Sequence, residues 1–109
     1  MTAADTAAAL GSGDVDVLAT PRVVALCEAA TLAAVAGALE PTQTTVGTRV
    51  ELDHLRPSAI GAHVTATAAL VSVDGGRLTF DVEATDGAAV VARGGVVRAV
   101  VDRARFAAS

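Results

Sequence analysis

Apolar residues run almost unbroken from Pro21 to Leu39 as alanine, valine and leucine, and beyond that stretch apolar and polar positions alternate. The unbroken run predicts a buried helix, and the alternation predicts strands with one apolar face. Thr20-Pro21 gives the helix its start, with threonine as N-cap and proline at the first helical position, and Glu40-Pro41 gives its end. Asp14 to Leu18 alternates as a short strand would. From Thr44 to His54, strict alternation places Thr44, Val46, Thr48, Val50, Leu52 and His54 on one face. Thr45, Gly47, Arg49, Glu51 and Asp53 fall on the other.

Further strands are predicted over His63–Val73, Leu78–Ala84 and Ala88–Val101, with hairpin signals at Asp74-Gly75-Gly76 and Asp86-Gly87. Gly94-Gly95 predicts a bulge within the last strand. The order is a short strand, a long helix and then strands in antiparallel succession. An α+β architecture follows, in which an antiparallel sheet wraps one long central helix, the hotdog arrangement. Residues 1–13, rich in alanine, threonine, glycine and serine, are expected to be loosely ordered, and 14–109 to form a single domain.

Composition changes this picture in one respect. The chain has 109 residues and is 52% hydrophobic, but much of that is alanine and only Phe80 and Phe106 are aromatic. A core so thin predicts a self-associating surface, and hence a homodimer. The net charge of −4, with no basic run, argues against nucleic acid and against a membrane surface. The Pro21–Leu39 segment is about as long as a membrane span but carries Arg22 and Glu28. Its residues are expected in a protein core. A single cysteine, Cys27, and a start that does not read as a signal peptide fit a cytoplasmic protein. No metal-binding cysteine pair occurs.

Glu28 is the most informative residue. A carboxylate on a helix with no polar face is costly to bury, so it is expected to serve chemistry or a specific partner. The expected partner is His54, at the end of the next apolar face; a pairing with Arg98, which stands among apolar residues in Val96-Val97-Arg98-Ala99-Val100, is the alternative. Thr20 reads first as a helix cap, a role compatible with chemistry because a helix start favours developing negative charge. Cys27 faces about 100° away from Glu28 and reads as packing. His63 reads as a solvated or interface histidine.

These residues, taken in order, resemble a known family. Leu18-Ala19-Thr20-Pro21, Glu28, Val46-Gly47-Thr48, His54, Pro57, Gly61, Gly94 and Arg98-Ala99-Val100 are similar to the hotdog-fold thioesterases of the fluoroacetyl-CoA thioesterase type, over residues 14–106. The resemblance implies a catalytic constellation of Thr20, Glu28 and His54. It also implies a backbone contact to the thioester at Gly47 and a substrate-channel arginine at Arg98. It implies no cofactor and no metal, coenzyme A entering only as part of an acyl-CoA substrate, and active sites at the interface of a homodimer. A pair of phenylalanines linked in the family to fluorine selectivity is replaced by Gly11 and Asp14. The resemblance therefore implies hydrolysis of a short acyl-CoA more strongly than it implies a fluorinated substrate. A non-catalytic acyl-CoA or acyl-carrier binding protein is the alternative from another class, and a hotdog dehydratase or related lyase is a third.

Overall fold

The structure, a computed structural model, describes residues 1–108. Its centre is helix α2 (Thr20–Ala34), which packs on an antiparallel sheet of β1 (Gln43–His54), β2 (Val64–Asp74), β3 (Arg77–Asp86) and β4 (Ala89–Asp102). Two short helices, α1 (Ala7–Leu10) and α3 (Arg103–Ala108), lie near the chain ends. The sheet order is β1-β4-β3-β2. Both predicted hairpins form, with Gly75 and Gly87 at positive φ (59° and 62°), where the missing Cβ removes the steric penalty. The core joins Leu78, Phe80, Val82 and Ala84 of β3 and Val91, Ala92 and Val96 of β4 to Val23 and Cys27 of α2. The predicted α+β arrangement of sheet on helix is present.

Several expectations need correction. The strands are not in simple succession, because β1 pairs with β4 and the chain crosses to the far edge before the β2-β3-β4 meander returns. The helix stops at Ala34 rather than near Glu40. Beyond it, i→i+3 bonds such as Ala36 N–H to Ala33 O tighten the chain, and Gly37 at φ 80° breaks the α geometry. Only one face of α2, marked by Val23, Cys27 and Thr31, is buried, and Leu32 is 45% exposed. A single sheet covers one side of a helix. No strand spans Asp14 to Leu18, where only isolated bridges form, Thr6 with Leu18 and Val17 with Ala59.

Residues 1–13 are tied down at several points. Thr6 and Ala7 are buried, the Met1 ammonium donates to the Ala62 carbonyl at 2.9 Å, and Asp5 meets Arg22 of α2 at 3.0 Å. The composition favours disorder, but these long-range contacts supply what short polar side chains alone do not.

The sheet's irregularities decide which side chains meet. Gly94 and Gly95 stay in unbroken register with both neighbouring strands, so the predicted bulge is not there. A Cβ on Gly94 would run into the Glu51 carbonyl oxygen; that glycine permits close backbone approach instead. In β1 the register shifts between Gly47 and Arg49, leaving Thr48 as the extra residue.

Candidate active site

The bulge at Thr48 builds the site. Residues opposite one another in a ladder share a face, and Gly47 lies opposite Arg98, Val50 opposite Val96, and His54 opposite Ala92. Arg98, Val96 and Ala92 all lie on the face of β4 that meets α2. Thr45 and Gly47 therefore share the helix-facing side with Val50, Leu52 and His54. Strict alternation had divided them, because it counts no extra residue.

Thr20 and His54 meet at the start of α2. The Thr20 hydroxyl and His54 Nδ1 are 2.8 Å apart. The N-cap is Ala19, with extended backbone and no side-chain cap, so Thr20 is the first helical residue and not the expected cap. Its hydroxyl thus serves the histidine. His54 is half-buried, and its Nε2 is buried without a hydrogen-bond partner. Either Thr20 donates to Nδ1, leaving the proton on Nε2, or Nδ1–H donates to Thr20 and Nε2 keeps its lone pair. In both tautomers one ring nitrogen is uncommitted. A cavity of about 230 Å³ borders this pair, lined also by Ala7, Ser12, Leu18 and Leu55.

Glu28 meets Arg98 instead of His54. The carboxylate Oε2 accepts from Arg98 Nη1 at 3.1 Å, and the Arg98 side chain is 6% exposed against 34% for Glu28. Glu28 is thus a partly open carboxylate resting on a buried cation, and the alternative pairing is the one the fold selects. Arg98 is held further by Thr45, whose hydroxyl accepts from Nε at 2.8 Å and whose carbonyl accepts from Nη2 at 3.0 Å. Gly47 leaves the space this needs. A Cβ there would collide with Glu28 Oε2 and lie 3.5 Å from Arg98 Nη1.

The five candidate residues therefore fall into two groups on one side of the sheet, Thr20 with His54 and Glu28 with Gly47 and Arg98. Sequence reasoning missed Thr45. Its only signal was a polar residue two positions before a glycine, on what alternation marks as the wrong face. Cys27 is buried and burial pushes its thiol up, in keeping with packing, and His63 is exposed. A larger hollow of about 630 Å³ lies elsewhere, lined by Thr67, Asp81, Glu83 and Arg93 among others, and touches none of these groups. Its size does not compensate for the missing chemistry. Among the described residues no cluster of potential metal ligands occurs, and no helix is long and apolar enough to cross a membrane.

The arrangement offers a hydroxyl on an imidazole and a carboxylate with a free oxygen edge. Those are groups that acyl-transfer chemistry uses. Gly11, which the resemblance sets against one of the family's two phenylalanines, ends α1 at φ 74°, where a larger side chain is strained, and Asp14, set against the other, is exposed.

Known proteins share this framework. Residues 1–104 match the family described as FlK, Fluoroacetyl-CoA-specific thioesterase. Over 91 residues the chain is 39% identical to the fluoroacetyl-CoA thioesterase of Streptantibioticus cattleyicolor, covering 84% of this chain and 66%, a little under two thirds, of that protein. A solved structure of the fluoroacetyl-CoA thioesterase FlK superposes with a TM-score of 0.92 at 33% identity, over 99% of this chain and 84% of the other. A hot-dog-like protein from Thermanaerovibrio acidaminovorans, at 23% identity, shares the fold with a TM-score of 0.88, over 99% of this chain and 80% of its own. With the match running through nearly every described residue, this chain belongs to the fluoroacetyl-CoA-specific thioesterase family and carries its hotdog fold.

Proposed function

We propose that the chain hydrolyses short acyl-CoA thioesters to the free acid and coenzyme A, with Thr20, Glu28 and His54 as the reacting groups. The observation that carries this reading is the 2.8 Å contact between the Thr20 hydroxyl and His54 Nδ1, in a chain of this family. Glu28, held beside Arg98, attacks the thioester carbonyl or takes a proton from the water that does. The C–S bond then breaks and the thiolate leaves with a proton from His54; where Glu28 itself attacked, water next cleaves the resulting acyl–Glu28 anhydride and frees the carboxylate. Water supplies the oxygen added to the acid and the proton added to sulfur. The start of α2 favours the negative charge of the developing oxyanion, and the family resemblance assigns the Gly47 amide a contact to the thioester. This chemistry uses no metal and no cofactor beyond the coenzyme A of the substrate.

The working form we propose is a homodimer. The uncovered side of α2, with Leu32 at 45% exposure, supports it, as does the edge strand β2, where Val71 and Val73 are 53% and 63% exposed. Acyl-CoA as substrate and a free Cys27 thiol fit work in the cytoplasm.

Incubation with short acyl-CoAs and a thiol reagent tests the activity. Release of free coenzyme A supports it; tight binding of acyl-CoA without release would leave a binding protein as the correct reading. Without the family's phenylalanine pair, acetyl-CoA and fluoroacetyl-CoA are expected to differ by no more than about 100-fold in kcat/KM, since a hydrogen-to-fluorine change alters shape little. A preference of many thousand-fold for the fluorinated substrate would place selectivity elsewhere in the pocket. Sedimentation at micromolar concentration tests assembly, and a compact monomer would rule out a site shared between subunits.

A further inference from the structure

We infer that Thr45 is the residue that positions the catalytic carboxylate, acting through Arg98. The inference rests on the thioesterase reading for its kinetic consequence, but its geometry is independent of it. Three N–H groups of Arg98 are committed inside the protein, Nε to Thr45 Oγ1 at 2.8 Å, Nη2 to Thr45 O at 3.0 Å and Nη1 to Glu28 Oε2 at 3.1 Å. Two of those three bonds go to one residue. Thr45 is 4% exposed and Arg98 5%, so neither group has water as a ready substitute.

A planar guanidinium is a rigid fork, and anchoring two of its three nitrogens fixes where the third points. Thr45 lies opposite Val100, so Arg98, two residues earlier on β4, is its diagonal neighbour on the same face. From there the side chain passes Gly47, and its Nη1 reaches the carboxylate that comes down from α2. Glu28, with its side chain 34% exposed, is the most open member of the trio. Its hold on one side is the Arg98 Nη1, and the direction of that N–H is set by Thr45.

Thr45 is thus a positioning residue and touches no substrate. The threonine hydroxyl is the part that a substitution can remove, since the carbonyl stays with the strand. Thr45→Val keeps the branched shape that suits β1 and removes the hydroxyl that accepts from Nε, leaving that buried N–H unpaired. Thr45→Ser keeps the acceptor.

The experiment measures both variants in two ways. In steady-state hydrolysis of acetyl-CoA, Thr45→Val is expected to lower kcat about tenfold or more with KM within about twofold, because a misplaced reacting group costs turnover more than binding. Thr45→Ser is expected to restore kcat to within about threefold of wild type. In 1H–15N spectra, the Arg98 Nε–H is expected to exchange slowly with solvent in wild type and Thr45→Ser, and quickly in Thr45→Val. The spectroscopic readout needs no turnover. If wild type releases no coenzyme A, the thioesterase reading fails while the exchange rates still decide the clamp. If wild type is active and Thr45→Val keeps both its kcat and a slowly exchanging Nε–H, the role assigned to Thr45 is wrong. A Thr45→Val protein that only melts earlier, with kcat unchanged, would make the residue structural and overturn the inference equally.

Discussion

Helix α2 carries two polar contacts with the sheet, one at its first residue and one two turns further on, and they are built in opposite ways. At Thr20 and His54 a single 2.8 Å hydrogen bond joins an exposed hydroxyl to a half-buried ring, and Nε2 is left without a partner. At Glu28 and Arg98 the guanidinium is buried and bonded three times, and the carboxylate is the more open partner. A group that must gain and lose a proton is better off lightly bonded, since each hydrogen bond favours one protonation state. A group that must keep a charge in place is better off held by several bonds. The first contact is suited to moving protons and the second to holding a carboxylate.

The largest effect should come from the second contact. Glu28→Gln keeps an acceptor for Arg98 Nη1 but removes the charge, and turnover is expected to fall about 1,000-fold. It should also cost about 1 kcal/mol of stability, because a buried guanidinium loses its counter-charge while the partly exposed Glu28 was already screened. Assays and denaturant melts measure both. An active Glu28→Gln variant would reduce the pair to a structural one.

The first contact should behave differently. His54→Ala is expected to lower turnover about 100-fold with little change in thermal midpoint, since the ring gives up one hydrogen bond and an unsatisfied Nε2. Near wild-type turnover would remove histidine from the mechanism; a large drop in midpoint would show that the ring is a packing element.

Gly47→Ala sharpens the contrast from the strand side. The added Cβ meets Glu28 Oε2 and leaves the Thr20–His54 contact alone. Turnover is expected to fall about tenfold, with wild-type protection of the His54 ring from exchange. Equal disturbance of both contacts would show that they are one unit.

The smallest effect lies at the N-terminus, where Asp5 ties the leading segment to α2. A backbone hydrogen bond from Thr2 and the neighbouring Arg22 hold the Asp5 carboxyl below its ordinary value of 3.8. A carboxyl lowered by folding contributes stability above its unfolded pKa, and that contribution is lost as pH falls through the folded pKa. Asp5→Asn should therefore be slightly less stable than wild type at neutral pH and equal to it well below 3.8. Paired melts across that range check the sign, and a gap that widens in acid would contradict it.

Features governed by short-range physics are legible in the residues themselves. Asp74-Gly75-Gly76 and Asp86-Gly87 set two hairpins because glycine supplies the positive φ locally, and Thr20-Pro21 marked the helix start to within one residue. The ordered residues Thr20, Glu28, Gly47, His54 and Arg98 were legible as candidates because polar groups stand out in apolar surroundings. Which of them meet depends on long-range pairing. Alternation assumes a period of two throughout, and the bulge at Thr48 changes the parity of half the strand, bringing Thr45 and Gly47 onto the face of His54. That bulge is set by pairing with β4, and Thr45 and Arg98 are 53 residues apart in the chain. A carboxylate's choice between a histidine and an arginine is settled by where two distant strands align, and no local pattern of side chains contains that alignment.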